Sequence, residues 1–154
     1  MALKAINAAY GDIEKGLLPG LVAQKKRAGA RFVQMCGTLS GEGVDVTYSF
    51  LEGDVLENWT VRNVAEGESL PSITSDFIAA FVFENELHDL FGVSVEGIAI
   101  DFGGKFYALA EEAPMTYVSP ELKAAREKAA KVRAAMEAKA KKEAAKAAEG
   151  KAGE

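Results

Sequence analysis

Val44-Asp45-Val46-Thr47-Tyr48-Ser49-Phe50 changes from apolar to polar at every step. Successive side chains of a β-strand point to opposite faces. The stretch therefore predicts a strand with Val44, Val46, Tyr48 and Phe50 on a core and Asp45, Thr47 and Ser49 in water. Its neighbours extend the pattern. Upstream, Arg31 to Leu39 is rich in β-forming residues and closes at the turn Ser40-Gly41-Glu42-Gly43. Downstream, Glu52-Gly53-Asp54 turns the chain into a third run, Val55 to Val64, which contains Trp59 and Val61. Short turns between consecutive strands predict an antiparallel meander.

Helices are expected on both sides of it. Met1 to Tyr10 is Ala-rich and reads as a helical lead-in. Pro19 suits the first turn of a helix, where its missing N–H has no partner to lose. That helix carries Lys25, Lys26 and Arg27 in its last turn, against the negative end of the dipole, and stops at Gly29. The same three side chains would also serve a phosphate or an acidic partner. After the meander, Ser72, Thr74, Ser75 and Asp76 offer N-caps, and the apolar run Phe77 to Phe83 leads into Glu84-Asn85-Glu86-Leu87-His88-Asp89-Leu90-Phe91-Gly92. Phe77, Phe81, Glu84, His88 and Phe91 fall at helical spacing, and Gly92 fits the C-terminal stop. A helix apolar all round in its first half must be covered, so it is expected to lie across the sheet with its acidic half emerging at an edge. Ile98 to Phe102 and Lys105 to Leu109, flanking Gly103-Gly104, read as a closing hairpin. The fold class is α+β: an antiparallel meander sheet with helices packed on one face.

Charge divides the polypeptide. Residues 1–119 carry 8 basic and 17 acidic side chains, and residues 120–154 carry 10 basic and 6 acidic ones. Two segments are therefore expected: an α+β domain over 1–118 and a basic Ala/Lys/Glu-rich helix with a fraying tail over 119–154. Ser119-Pro120-Glu121 is a helix start. Leu122, Ala125, Ala129, Val132 and Met136 then repeat as a narrow seam suited to a partner surface, acidic lipid headgroups or a second helix, and a solvated helix is equally compatible.

Composition excludes several functions. Of 154 residues one is Cys and one is His. Cys36 cannot form an internal disulfide, and zinc sites or iron–sulfur clusters typically need about four ligands. No cofactor is expected. A net charge of −5 argues against nucleic acid as a partner. The first 30 residues lack a long apolar run and nowhere do about 18 apolar residues follow one another, so neither a secretion signal nor a membrane span is expected.

Glu84, Glu86, His88 and Asp89 form the one dense ionisable group near the predicted core. Glu84 and His88 stand four apart and would share a helix face, and with it a metal ion or a proton. Glu86 and Asp89 fall on another stripe, and a lone imidazole is weak support for metal. Two readings stay open beside metal or acid–base chemistry: a solvated helix end, and a carboxylate face held for Arg or Lys on another protein.

Glu84 to Val93 resembles the signature of the 30-kDa subunit of the NADH:quinone oxidoreductases, in which Glu-Arg-Glu-x-x-Asp-Met/Leu-Phe-Gly-Ile follows a Pro-Ser segment and an aromatic stretch. Pro71-Ser72 and Phe77 to Phe83 stand in those places, and the resemblance spans residues 20–110 or so. Asn85 replaces the usual Arg, and the later Gly-His-Pro and Arg-Lys-Asp-Tyr-Pro segments are missing. This shortened form is similar to the corresponding subunit of membrane-bound, energy-converting [NiFe] hydrogenases. The resemblance implies a cofactor-free peripheral subunit on the cytoplasmic side of the cell membrane. Its implied partners are the hydrogenase large subunit, the iron–sulfur small subunit and membrane subunits of one complex that oxidises ferredoxin, evolves H₂ and translocates ions. Glu84, Glu86 and Asp89 would then set the docking orientation, with His88, Phe91 and Gly92 beside them. The 30-kDa subunit of an NADH/quinone complex, a free-standing binding module and a small carboxylate metalloenzyme are the competing readings.

Overall fold

The alternating stretch lies at the centre of a four-stranded sheet. In the computed structural model, which describes residues 7–41 and 43–116, β3 (Val44–Glu52) pairs antiparallel with both β2 (Arg31–Leu39) and β4 (Val55–Val64). The meander stands as the turn signals required. Its fourth strand was expected as helix: β1 (Asn7–Asp12) runs parallel to β4 and gives the order β1-β4-β3-β2. The Ala content of this stretch favours helix only weakly. The unpaired outer edge of β4 overrides it by taking up the strand's hydrogen bonds. Gly11 lets β1 approach, since a Cβ there would sit 2.7 Å from the Trp59 ring.

The two faces of the sheet differ. On the covered face Met35, Val46, Tyr48, Phe50 and Val61 are buried with Leu18 and Val22 of α1 (Leu18–Arg27) and Leu87 of α2 (Ala80–Phe91). Phe32 contacts the rings of Phe50, Phe77 and Phe83, with centroids 5.6 to 6.0 Å away. The other face is polar and tied across its strands. The Thr47 and Thr60 hydroxyls are 2.9 Å apart, Ser49 donates to Asn58 at 2.7 Å, and Arg62 bridges Asp12 and Asp45. Ser49, expected in water, is buried with its hydroxyl spent on Asn58.

α1 has Pro within its first turn and Gly29 at φ +71° just past its end, as expected. Lys25 does more than face the dipole. It is buried, and its ammonium donates to Glu57 at 2.5 Å and Glu52 at 3.1 Å. Burial alone would pull its pKa down, but the two carboxylates outweigh burial and raise it.

Between β5 (Ser69–Pro71) and β6 (Ser94–Glu96), which pair in parallel, the backbone crosses over through α2. α2 begins at Ala80, later than the N-cap candidates, and Ala79 caps it without a side-chain bond. Phe77 is drawn into the aromatic cluster before the helix can start. Gly92 closes α2 at φ +66°. The expected strands over 98–102 and 105–109 are absent. The turn between them exists, with Gly103 at φ +57°, Gly104 at φ +76° and a Lys105 N–H to Phe102 carbonyl bond. The helix expected over 119–154 lies outside the described residues.

Candidate functional site

α2 was expected to carry its acids outward. Its packing turns Glu84 and Asp89, together with Asn85, inward. Gly37 of β2 allows this, because Leu87 and Phe91 lie where any Cβ would stand, 2.8 and 2.9 Å away. With the helix seated this closely, Glu84 and Asn85 are each 1% exposed and Asp89 is 5% exposed. A buried carboxylate or carboxamide needs partners, and all three find them in segments outside the helix.

Glu84 holds the segment after β5. Its carboxylate accepts from the Ser72 hydroxyl and from the Ile73 N–H, both at 2.7 Å. The network continues through Ser72 to Thr74, whose hydroxyl accepts from the Ala99 N–H. Burial raises the Glu84 pKa above the ordinary carboxylate value, and the two hydrogen bonds only partly offset it. Burial and the Glu84 charge together push the Tyr48 hydroxyl the same way.

Asn85 clamps the next loop like a strand partner. Its carboxamide donates to the Phe81 and Ile100 carbonyls at 2.7 and 2.9 Å and accepts from the Phe102 N–H at 2.8 Å. Asp89 accepts from the Tyr107 N–H at 2.7 Å. Its second oxygen, Oδ1, has no hydrogen-bond partner among the described residues and lies 3.5 Å from His88 Nδ1. These bonds explain the missing hairpin: the Ile100 carbonyl and the Phe102 and Tyr107 N–H groups are spent on α2 side chains, and the Ala99 N–H on Thr74.

Glu86, half-buried, and His88, 45% exposed, remain turned toward the surface, while Phe91 and Gly92 pack against β2 and Ala113. Glu84 and His88 do not converge, and no group of three or more His, Cys, Asp or Glu side chains does so among the described residues. Sequence reasoning treated Asn85 only as a departure, yet it makes three of the bonds that shape the site.

The family model described as "Respiratory-chain NADH dehydrogenase, 30 Kd subunit" matches residues 16–99, more than half of the sequence. The chain belongs to that family. The matched region contains the whole meander and all of α2. An NADH-quinone oxidoreductase subunit of Rickettsia bellii (strain RML369-C) is 28% identical over 123 residues, covering 71% of this chain and 63% of its own. This family member therefore spans less than two thirds of that relative's length. Among solved structures, the trypsin-resistant fragment (1-134) of Nqo5 superposes with a TM-score of 0.54 at 18% identity, covering 63% of this chain and 85% of its own. The membrane-bound sulfane sulfur reductase, an archaeal respiratory membrane complex, contains a polypeptide with a TM-score of 0.58 at 14% identity, covering 73% and 70%. At those identities the likeness is one of fold. No helix among the described residues of this 30 Kd-family protein is long and apolar enough to cross a membrane.

Proposed function

We propose that this chain is a cofactor-free peripheral subunit of a membrane-bound respiratory-type redox complex, held on the cytoplasmic side by its partner subunits. The observation that carries this reading is the family match over residues 16–99. The finer assignment is an energy-converting [NiFe] hydrogenase, in which the protein docks on the large subunit beside the iron–sulfur and membrane subunits. The absence of the Gly-His-Pro and Arg-Lys-Asp-Tyr-Pro segments and the Asn85 substitution support it, and Asn85 holds the backbone at Ile100 and Phe102.

Within this reading the end of α2 serves docking in two ways. Glu86 and His88 present polar groups outward, and Phe91 and Gly92 set the helix end. Glu84 and Asp89 act one step behind, keeping loops 72–74 and 99–107 in shape. Losing a buried, hydrogen-bonded carboxylate costs far more than losing an exposed one. Glu84→Ala and Asp89→Ala are therefore expected to disturb assembly through the loops.

A second reading, the 30-kDa subunit of an NADH/quinone-type complex, is favoured by the Rickettsia relative. Affinity purification of the tagged protein from gently solubilised membranes, with mass spectrometry and a hydrogen-evolution assay, separates the two. Nickel–iron hydrogenase subunits with activity are the expected result. NADH- or quinone-reactive subunits would move the protein to the second reading, and a lone monomer would overturn both.

A further inference from the structure

Past the last residue of the family match, the backbone runs from Ile100 to Thr116 without a strand and with a single helical turn at Pro114–Thr116. Ile100, Phe102, Tyr107, Leu109 and Met115 in this stretch are each at least 40% exposed. Clustered apolar exposure of this kind marks interaction surfaces more often than single exposed residues do.

The backbone beneath Ile100, Phe102 and Tyr107 is held by α2. Phe102 is held through its N–H by Asn85, Ile100 through its carbonyl by the same side chain, and Tyr107 through its N–H by Asp89. Both anchoring residues are buried in α2. Phe102, Phe106 and Tyr107 then pack edge to face in series, with centroids 5.1 and 4.9 Å apart. A surface already ordered before binding loses less entropy when it docks, and buried aromatic anchors dominate interface energies.

Charge restricts the occupant. The same stretch exposes Asp101, Glu111 and Glu112 against one base, Lys105, and Glu86 adds a further acid on α2. A second copy presenting this same stretch would bring like charges together. We propose that residues 100–116 form a docking surface for an amphipathic segment of another subunit, one that seats an apolar side chain against the Phe102–Phe106–Tyr107 rings and flanks it with Arg or Lys. The inference rests on the reading of the protein as a subunit of a complex, and names the partner's chemistry.

The test uses the tagged full-length protein in place of the native copy, purified from solubilised membranes. Phe102→Ser combined with Tyr107→Ser keeps every backbone bond to α2. It is expected to lower the complex recovered per tagged molecule by about tenfold or more. Glu111→Lys with Glu112→Lys, which alters only exposed side chains, is expected to lower it as well and covers the case in which the ring variant folds poorly. Tyr10→Ser, on the exposed β1 edge, should change nothing. A photo-crosslinking residue (p-benzoylphenylalanine) placed at Tyr107 should join a peptide of another subunit within a few residues of Arg or Lys. Wild-type recovery with both double variants, or cross-links confined to copies of this protein, overturns the inference alone. If the unaltered protein recovers no complex, the subunit reading fails and takes this inference with it.

Discussion

Glu84 has no cationic partner among the described residues, and its surroundings leave a pH signature. Burial raises its folded pKa above the ordinary value of 4.5, against the hydrogen bonds from Ile73 and Ser72. The folded state then holds the Glu84 proton more tightly than the unfolded state does. The resulting stability is fully present below 4.5 and is lost as pH rises through the raised folded value. Asp45, Glu57 and Glu68 are shifted down and contribute the opposite slope. The useful quantity is therefore the difference between wild type and Glu84→Gln across a pH series of urea denaturations. The wild type should lose stability relative to the Gln variant as pH rises from 4.5. Glu84→Ala leaves the Ile73 N–H buried without an acceptor and should cost about 2–4 kcal/mol at acid pH, and less as pH rises. The helical spacing of Glu84 and His88 was legible in the sequence. Their opposite fates were not, because the donors that turn Glu84 inward come from residues 11 and 12 positions upstream, in a loop.

At the scale of the element, α2 is positioned by a missing side chain on its neighbour. Gly37→Ala would place a Cβ 2.8 Å from Leu87 Cδ1 and 2.9 Å from Phe91 Cδ2. The helix would have to lift from β2, at a cost of about 1–3 kcal/mol. Gly16→Ala, where a Cβ meets nothing within 4 Å, should leave the urea midpoint nearly unchanged. If the two variants melted alike, the close seating of α2 on β2 would be wrong. Lifting α2 would also loosen the loops that Asn85 and Asp89 hold, so Gly37→Ala should raise hydrogen exchange at Phe102 and Tyr107 beyond the general loss of stability. Periodicity found the four central elements. It failed at the start of α2, where Phe77 is held in the aromatic cluster, and at 98–109, where Ile100, Phe102 and Tyr107 bond through their backbones to α2 side chains.

At the scale of the whole molecule, the described residues form a sheet with one apolar face, two helices over it, and α2 side chains binding the irregular segments. Nothing among the described residues gathers three metal-ligating side chains. The purified protein should show no visible absorption band and less than stoichiometric iron, nickel or zinc by elemental analysis. A stoichiometric metal would reopen the metalloenzyme reading and overturn the cofactor-free subunit proposed above.

The sequence by itself determined the meander, α1, the core of α2 and its glycine stop, because each rests on interactions a few residues apart: alternation, helical spacing, turns that need positive φ. The ten residues from Glu84 to Val93 also carried the family. Only the tertiary structure decided that Asn7–Asp12 is a strand, that Lys25 is buried between Glu52 and Glu57, and that Glu84, Asn85 and Asp89 face inward. In each case the deciding partner is far along the sequence. A polar side chain is placed by whichever unpaired donor or acceptor the fold brings to it, and that pairing has no local period to read.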